Sequence, residues 1–240
     1  MRSLREYVLR ELLALEVPRL VKEFKSREKP VERARPPYVI RLDGVGFGKR
    51  LRDLGSPRDE KVHRALVEAA KELMKWFSSP YSYVSSDEIN VLVLHDLYSS
   101  RTMKIVSISA GIASSRASLE LGRALFFDSR VIELRSLDEA YHYMMLRMRI
   151  CLGNLLTTLC RDLGCASERI EKKLEILRRE GIVDRLEEWM LWGTCIYTEN
   201  VVREATDRRS GVPIKVFRRR LAECSDPRVC LERVKGLYQF

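Results

Sequence analysis

The sequence predicts an α/β protein of the α+β kind, with a ferredoxin-like core and an appended helical region. Short apolar runs of strand length alternate with stretches of helical periodicity in the order β-α-β-β-α-β. That order is typical of the ferredoxin-like split unit, in which the first and third strands are central antiparallel neighbours. Apolar residues make up 45% of the 240-residue chain, which is enough for a sizeable core.

The N-terminal part predicts a helical extension. Residues 2–26 carry apolar side chains at spacings near three and four, which is typical of an amphipathic helix or helix pair. Pro18 either divides this segment or starts a second helix. A charged, proline-containing connector follows, so we assign residues 1–35 to the extension and its connector.

The central part predicts the core over residues 36–135. A helix over residues 57–77 has an apolar stripe, and Asp59 and Glu60 lie in its first turn. The other expected elements are four strands and a small-residue-rich helix, at residues 38–42, 81–85, 89–95, 126–134 and 103–121.

Beyond the core, the sequence predicts two long helices and one more strand, at residues 137–163, 167–180 and 192–197. We assign residues 136–202 to a helical and strand region that completes the domain begun by the core. The remaining residues, 203–240, are assigned to a basic C-terminal tail.

Composition limits the partners and the compartment. The chain has a formal net charge of +10, from 44 basic and 34 acidic residues, which favours a polyanionic partner. No apolar stretch approaches the roughly 20 residues that cross a membrane, and the N-terminus lacks the apolar core of a signal peptide. We therefore expect a cytoplasmic protein with no membrane partner.

The six cysteines form no CxxC pair, so a zinc site is not expected. In an ordinary cytosol they would be buried free thiols, which is the interpretation we favour. In a hyperthermophile, Cys224 and Cys230 could instead close a short loop as a disulfide.

Two acidic stretches carry the strongest functional signal. Asp43 and Gly44 close the first predicted strand, and Asp87 and Glu88 precede the third. Because antiparallel pairing places the end of one strand beside the start of the other, we expect Asp43 and Asp87 to share a cation. Paired carboxylates suit a two-metal phosphoryl-transfer site. Taken alone, however, Asp-Gly is equally typical of a simple turn.

Basic residues follow the first aspartate. Singly, Lys49, Arg50 and Arg58 would be solvated surface charges. As a group beside a metal site they suit a triphosphate, which arginine binds in a bidentate way. The glycine-rich segment 44–48 also leaves backbone groups open to phosphate or metal.

At these motifs the sequence resembles the tRNA(His) guanylyltransferase family, including its guanylyltransferase-like members that repair tRNA. That family carries Asp-Gly-Arg-x-Phe, Pro-Asn-Asp, Tyr-Gly-x-Ser-Asp-Glu and Phe-Asp-x-Arg-Val segments. The counterparts here, in the same order, are Asp43-Gly44-Val45-Gly46-Phe47, Pro57-Arg58-Asp59, Tyr83-Val84-Ser85-Ser86-Asp87-Glu88 and Phe127-Asp128-Ser129-Arg130-Val131. The similarity runs from about residue 21 to residue 201.

The resemblance implies a polymerase-type palm that extends RNA in the 3′–5′ direction. The 3′-hydroxyl of an incoming nucleotide would attack an activated phosphate at the 5′ end of a tRNA. Asp43, the Gly44 carbonyl and Asp87 would hold two Mg²⁺ ions, with Glu88 as a further catalytic residue and Ser86 in support.

The resemblance also implies substrates and partners. The substrates would be GTP or another nucleoside triphosphate, with ATP activating a 5′-monophosphate end, and the partner would be tRNA at its 5′ end and acceptor stem. The expected nucleotide-binding residues are Val45, Gly46, Phe47, Lys49, Arg50, Arg58 and Ser86. The expected RNA-binding residues are Asn154, Arg130, Arg208, Arg209, Arg218, Arg219 and Arg220. The family assembles into homodimers and homotetramers, which we expect here too.

Several positions depart from the family motifs. Cys151-Leu152-Gly153-Asn154 replaces a His-Ile-Asn-Asn segment, and Val45 replaces the arginine of Asp-Gly-Arg. Ser56 and Trp192 replace two expected lysines. These departures favour templated 5′-end repair over addition of the −1 guanosine to tRNA(His). The residues are also compatible with a nucleotide cyclase and with a palm that binds RNA without catalysis.

Overall fold

The computed structural model describes residues 2–27, 33–55, 57–207, 209 and 211–237, with side chains in the first helix described from Val8 onward. The helices are α1 (Arg2–Leu13), α2 (Val17–Lys25), α3 (Phe47–Arg50), α4 (Glu60–Trp76), α5 (Thr102–Leu121), α6 (Leu137–Leu159), α7 (Ile170–Arg179), α8 (Glu188–Trp192) and α9 (Pro227–Gly236). The strands are β1 (Tyr38–Gly44), β2 (Tyr81–Ser85), β3 (Glu88–Val93), β4 (Phe127–Glu133), β5 (Thr194–Thr206) and β6 (Pro213–Cys224).

All six strands form one antiparallel sheet in the order β4-β1-β3-β2-β5-β6. The predicted ferredoxin-like core is confirmed, since β1 and β3 are central neighbours and β4 and β2 flank them. The chain then adds β5 and β6 at the β2 edge, which extends the sheet beyond the βαββαβ unit.

Helices cover both faces of the sheet. On one face α4 and α5 pack against side chains such as Ile40 and Val91. On the other face α6 packs against Val39 and Leu92, with α1, α2 and α9 alongside it. The buried Leu12 belongs to this second core, so the N-terminal extension covers the palm.

Local signals explain how the main palm helix begins. The Asp59 side chain accepts hydrogen bonds from the backbone N–H groups of Lys61 and Val62, at 2.8 and 3.2 Å, which caps α4. The same carboxylate also accepts from the Gly55 N–H at 2.8 Å. Asp59 therefore holds the preceding loop against the start of the helix.

The C-terminal region differs from the prediction. The expected tail over 203–240 includes the second half of β5, all of β6 and α9, so the boundary at residue 202 falls inside a strand. The basic run concealed β6, because both faces of the outer hairpin are solvent-exposed and no apolar alternation marks it. Of the residues expected to form a short strand at 192–197, Trp192 ends α8, and the strand β5 begins at Thr194 and continues to Thr206.

The cysteine predictions are wrong in part. Cys195 is bonded to Cys230 and Cys160 to Cys165, whereas Cys151 and Cys224 are free thiols. Cys230 pairs with Cys195 because α9 packs its buried face onto β5.

No described helix combines the length and the apolar character required to cross a lipid bilayer. The chain thus offers no helical membrane span within the described residues.

Candidate active site

Asp43 and Asp87 lie on adjacent strand ends. β1 ends at Asp43 and Gly44, while Ser86 and Asp87 form the two-residue turn between β2 and β3. The Gly44 N–H donates to the Asp87 carbonyl at 2.9 Å. Ser86 adopts a φ of 56°, a positive value that suits the first central position of a tight hairpin turn. The residue directly opposite Asp43 is Glu88, so Asp87 lies one position beyond the register.

Both aspartates are held in an unfavourable environment for a carboxylate. Burial raises the pKa of Asp43, and the neighbouring Asp87 raises it further, against the opposing effect of Arg41. Burial likewise raises the pKa of Asp87, with Glu88 adding to the shift. The Arg41 guanidinium lies 3.6 Å from Asp43, and Asp87 forms no ion pair among the described residues. Two desolvated like charges are stabilised by a shared cation.

Glu88 lies in a different environment, buried among cations and amides. Its carboxylate accepts hydrogen bonds from Arg41 at 2.8 Å, from Asn90 at 2.7 Å and from Arg147 Nε at 2.7 Å. Although burial alone would raise it, the guanidinium groups of Arg147 and Arg41 hold the pKa of Glu88 below its usual value. Glu88 is therefore a charged anchor for Arg41, which in turn contacts Asp43.

The residues present fit magnesium better than a soft metal. Among the described residues there is no group of three or more His, Cys, Asp and Glu side chains that could hold a metal ion. Mg²⁺ does not need such a group, because it binds through one or two carboxylates and completes its shell with water and substrate phosphates. Asp43 and Asp87 provide that pair. At Gly44 a side chain would lie 2.6 Å from the Phe47 ring, so this backbone position requires glycine.

A cavity of about 390 Å³ opens beside Asp87, a size that suits a small ligand. Its lining includes the polar Ser86 and Asp87 and the aromatic His63 and Trp189. The whole lining consists of Phe47, Gly48, Leu51, Arg52, Leu54, Gly55, Pro57, Arg58, Asp59, Val62, His63, Ser86, Asp87 and Trp189.

The predicted nucleotide-binding residues divide into two groups. Phe47, Arg58 and Ser86 line the cavity. The others are not part of its lining: Val45, Gly46, Lys49 and Arg50 are exposed around α3.

Arg58 is less available than its charge suggests. Its guanidinium donates to the Cys151 carbonyl and Sγ, both at 3.1 Å, and to the Met190 carbonyl. Three of its five N–H donors are thus used inside the protein. The side chain ties α4's leading loop to α6 and α8.

The predicted RNA-binding residues are also dispersed. Arg130 lies on β4 and pairs with Asp128 at 3.1 Å, close to the aspartate pair because Asp128 is opposite Asp43. Asn154 is exposed on α6. Arg208 lies outside the described residues. The remaining four arginines belong to the β5–β6 hairpin: Arg209, Arg218, Arg219 and Arg220.

The outer part of this hairpin, which we call the arm (residues 198–221), points away from the aspartates. Thr194 pairs with Val84 near the site, and Tyr197 pairs with Tyr81 at the opposite end of β2. The strands then continue beyond the sheet for about 30 Å at the usual rise per residue.

Four residues of the site were not anticipated from the sequence: Arg41, His63, Arg147 and Trp189. Arg41 carried a signal, because it is two residues before Asp43 in a strand and must share its face. The other three are brought to the site by α4, α6 and α8, and no local pattern marks them.

Comparison with known proteins identifies the family of this fold and site. The family model described as tRNAHis guanylyltransferase matches residues 19–138, which include β1 to β4 and both aspartates. The chain belongs to the tRNA(His) guanylyltransferase family. Members of this family are nucleotidyltransferases, which makes the chain an enzyme of that class.

Solved structures of similar fold agree. A bacterial tRNA(His) guanylyltransferase-like protein in complex with ATP is 18% identical, with a TM-score of 0.69 over 93% of this chain and 98% of that chain. Another such bacterial structure, in complex with GTP, is 19% identical, with a TM-score of 0.66 over 92% and 99%. The tRNA(His) guanylyltransferase from Saccharomyces cerevisiae is 19% identical, with a TM-score of 0.60 over 74% and 91%. Curated protein sequences yield no significant match. At these identities the tRNA(His) guanylyltransferase structures establish the fold alone.

Proposed function

We propose that the protein adds nucleotides to the 5′ end of a tRNA in the 3′–5′ direction, using two Mg²⁺ ions held by Asp43, the Gly44 carbonyl and Asp87. One observation carries this proposal. Two partly buried aspartates lie on adjacent strand ends, Asp87 lines a ligand-sized cavity, and Arg41, the cation beside Asp43, is already bound to Glu88. When bound, the metal ions lower the pKa of the attacking hydroxyl and offset the negative charge of the phosphates.

The protein's own side chains orient this pair. Arg41 contacts Asp43 and Glu88 at once, and Arg147 also binds the Glu88 carboxylate. The Asp43 carboxylate is thereby held in one place before any ligand binds. Such preorganisation lowers the cost of aligning the hydroxyl with the phosphate it attacks.

Nucleoside triphosphates are the proposed small substrates. The bacterial structures that share this fold contain ATP and GTP, and the cavity beside Asp87 has the size for such a ligand. The exposed hydroxyl of Ser86 and the backbone of the glycine-rich loop would contact the phosphates. ATP would activate a 5′-monophosphate end by transferring its adenylyl group and releasing pyrophosphate, and the 3′-hydroxyl of GTP or another nucleotide would then attack that phosphate and displace AMP.

The arm is the proposed site for the tRNA body. It carries a high density of arginines and extends from the end of the sheet opposite the aspartates. This separation supports assembly as a homodimer or homotetramer, in which the arm of one subunit holds a tRNA whose 5′ end reaches another subunit. Phosphate neutralisation by arginine would make such binding strongly salt-dependent.

Templated repair is the subtype we favour over −1 guanosine addition. Two departures from the family motifs contact each other, since Arg58 donates to Cys151 where the family has asparagine and histidine. The Arg58 and Cys151 side chains thus contact each other inside the protein, and neither replaces the polar group of the family motif at its position. Selection of the nucleotide would then rest on pairing with the opposite acceptor strand.

A labelled-nucleotide extension assay tests the proposal. The substrate is a 5′-truncated tRNA with a triphosphate end, in Mg²⁺ buffer, with native protein, Asp87→Asn and the surface control Asp162→Asn. We expect addition that follows the complementary base, is lost in Asp87→Asn and is unchanged in the control. Equal turnover in Asp87→Asn would contradict the assignment, and undiminished tRNA binding without any addition would indicate a non-catalytic palm.

A further inference from the structure

The cavity has one wall that the aspartates do not explain. The rings of Trp189 and His63 stack with their centroids 4.5 Å apart and an interplanar angle of 22°. Both residues line the cavity that Ser86 and Asp87 also line. A flat aromatic pair thus lines the same cavity as Asp87, one of the proposed metal ligands.

Trp189 is held on a short but firmly attached helix. Within α8, the Met190 carbonyl accepts from Arg58, and the Trp192 carbonyl accepts from the buried Tyr83 hydroxyl at 2.6 Å. Gly193 follows with a φ of 73°, and a side chain there would lie 2.5 Å from the Val84 carbonyl. The helix therefore joins β5 at a fixed angle, which sets the position of Trp189.

His63 completes an uncharged surface. Its Nε2 is 2.8 Å from Thr194 Oγ1, which in turn lies 2.8 Å from Ser225 Oγ. Burial, with the nearby Arg58 and Arg64, lowers the pKa of His63 to about 4. The imidazole is thus neutral at physiological pH and adds no charge to the wall.

We propose that Trp189, backed by His63, is the surface on which the base of a purine nucleotide stacks, with the phosphates directed toward Ser86 and Asp87. The inference rests on the proposed function and deepens it by naming the residues that hold the base. The cavity lining combines aromatic side chains with the polar Ser86 and Asp87, which matches the base and the phosphates of a nucleotide.

This arrangement has a consequence for selectivity. A stacking wall contacts the face of a base and leaves its hydrogen-bonding edges unread, so ATP and GTP should bind similarly. Purines have larger faces than pyrimidines and should bind more tightly than CTP or UTP. Stacking on an aromatic side chain contributes about 1–3 kcal/mol per base, which converts to roughly 5- to 150-fold in Kd.

The test compares nucleotide binding in three single variants of the full chain. Equilibrium dialysis with labelled ATP, GTP, CTP and UTP gives each Kd, and tryptophan emission is followed in parallel. We expect Trp189→Ala to raise the Kd for ATP and GTP about 10-fold or more, and the Kd for CTP and UTP less. Trp189→Phe should keep the Kd within about threefold, because a smaller aromatic ring still stacks.

Emission provides a readout that a merely structural role would not change. ATP should quench the fluorescence of the native protein. It should also quench that of the control variant Trp76→Phe, which lacks the exposed tryptophan at the end of α4. The quenching should be lost in Trp189→Phe. Persistent quenching in that variant, or an unchanged Kd for ATP in a folded Trp189→Ala, would overturn the inference.

The outcomes also separate this inference from the proposed function. Native protein that binds none of the four nucleotides would contradict the proposed function itself. If circular dichroism shows that Trp189→Ala does not fold, the quenching measured with Trp189→Phe decides whether the base stacks on Trp189.

Discussion

Consecutive carboxylates of this enzyme lie in opposite electrostatic environments. Glu88 is buried and surrounded by Arg41, Arg147 and Asn90, whereas Asp87, its neighbour in sequence, is only partly buried and has no ion pair among the described residues. The pKa of Glu88 is lowered, and that of Asp87 is raised.

The contrast separates the Glu88 carboxylate, which stabilises the fold, from the Asp87 carboxylate, which is available to bind a ligand. A fully paired carboxylate contributes to the native structure and is difficult to remove. A desolvated carboxylate without a cation lowers stability until a metal or a proton neutralises it. Neutralising each one should therefore affect different properties of the protein.

The largest effect is expected from Glu88→Ala. It leaves the Arg41 and Arg147 guanidinium groups near a buried site without their anion, which should lower the free energy of unfolding by about 3–5 kcal/mol. Urea denaturation followed by circular dichroism measures this change. Glu88→Gln retains hydrogen-bonding capacity and should cost less, and a loss below about 1 kcal/mol in both variants would argue against the anchor role.

Asp43→Asn should show the opposite pattern. The free energy of unfolding should change by less than about 1 kcal/mol, since within the described part of the chain the ion pair lost is the long contact with Arg41. Nucleotide addition should fall about 100- to 1000-fold, the usual result of removing a group that stabilises charge in the transition state. An Asp43→Asn variant that is strongly destabilised but still adds nucleotides would contradict the contrast between Asp43 and Glu88.

The pH dependence of the free energy of unfolding extends the comparison to a third buried group, His63. His63 has its pKa lowered from 6.5 to about 4, so the unfolded chain binds the extra proton first as pH falls. The contribution of neutral His63 to the free energy of unfolding is fully present above pH 6.5. It falls by about 3 kcal/mol as the pH decreases to about 4. The raised pKa values of Asp43 and Asp87 act in the opposite direction.

Urea melts at several pH values test this linkage. His63→Gln should lack most of the decline between pH 6.5 and pH 4 that native protein shows. A decline of equal size in both proteins would assign it to other groups.

The smallest effect concerns a paired cation on the arm. Arg220 is 2.5 Å from Glu199 in an exposed pair, which withholds part of its charge from RNA. Glu199→Gln should strengthen tRNA binding by roughly twofold to fivefold at low salt, since exposed pairs contribute up to about 1 kcal/mol. Filter binding at several salt concentrations measures this, and weaker binding by the variant would place the RNA elsewhere.

The palm could be predicted because its strands are apolar, bounded by turns and separated by the two helices α4 and α5. Helix α4 shows this well, since its stripe and its Asp59 cap both lie in the local sequence. The arm escaped prediction because neither of its faces is buried. Helix α8 escaped because its five residues are too few to show helical periodicity.

The site was predictable only to the level of neighbouring strand ends. The sequence indicated that Asp43 and Asp87 would meet, but a one-residue difference in register decides that Glu88 faces Asp43. That Glu88 is already neutralised depends on Arg147, which is 59 residues away on α6. Trp189 reaches the cavity from outside the segment that the family model matches.

The Cys195–Cys230 bond has a topological consequence for the arm. Both of its strands lie between the two bonded cysteines, so the arm is the outer part of a covalently closed ring. A single cleavage by trypsin after the exposed Arg209 at its tip would open that ring without releasing a fragment. The nicked chain should migrate as one band under oxidising conditions and as two bands after reduction.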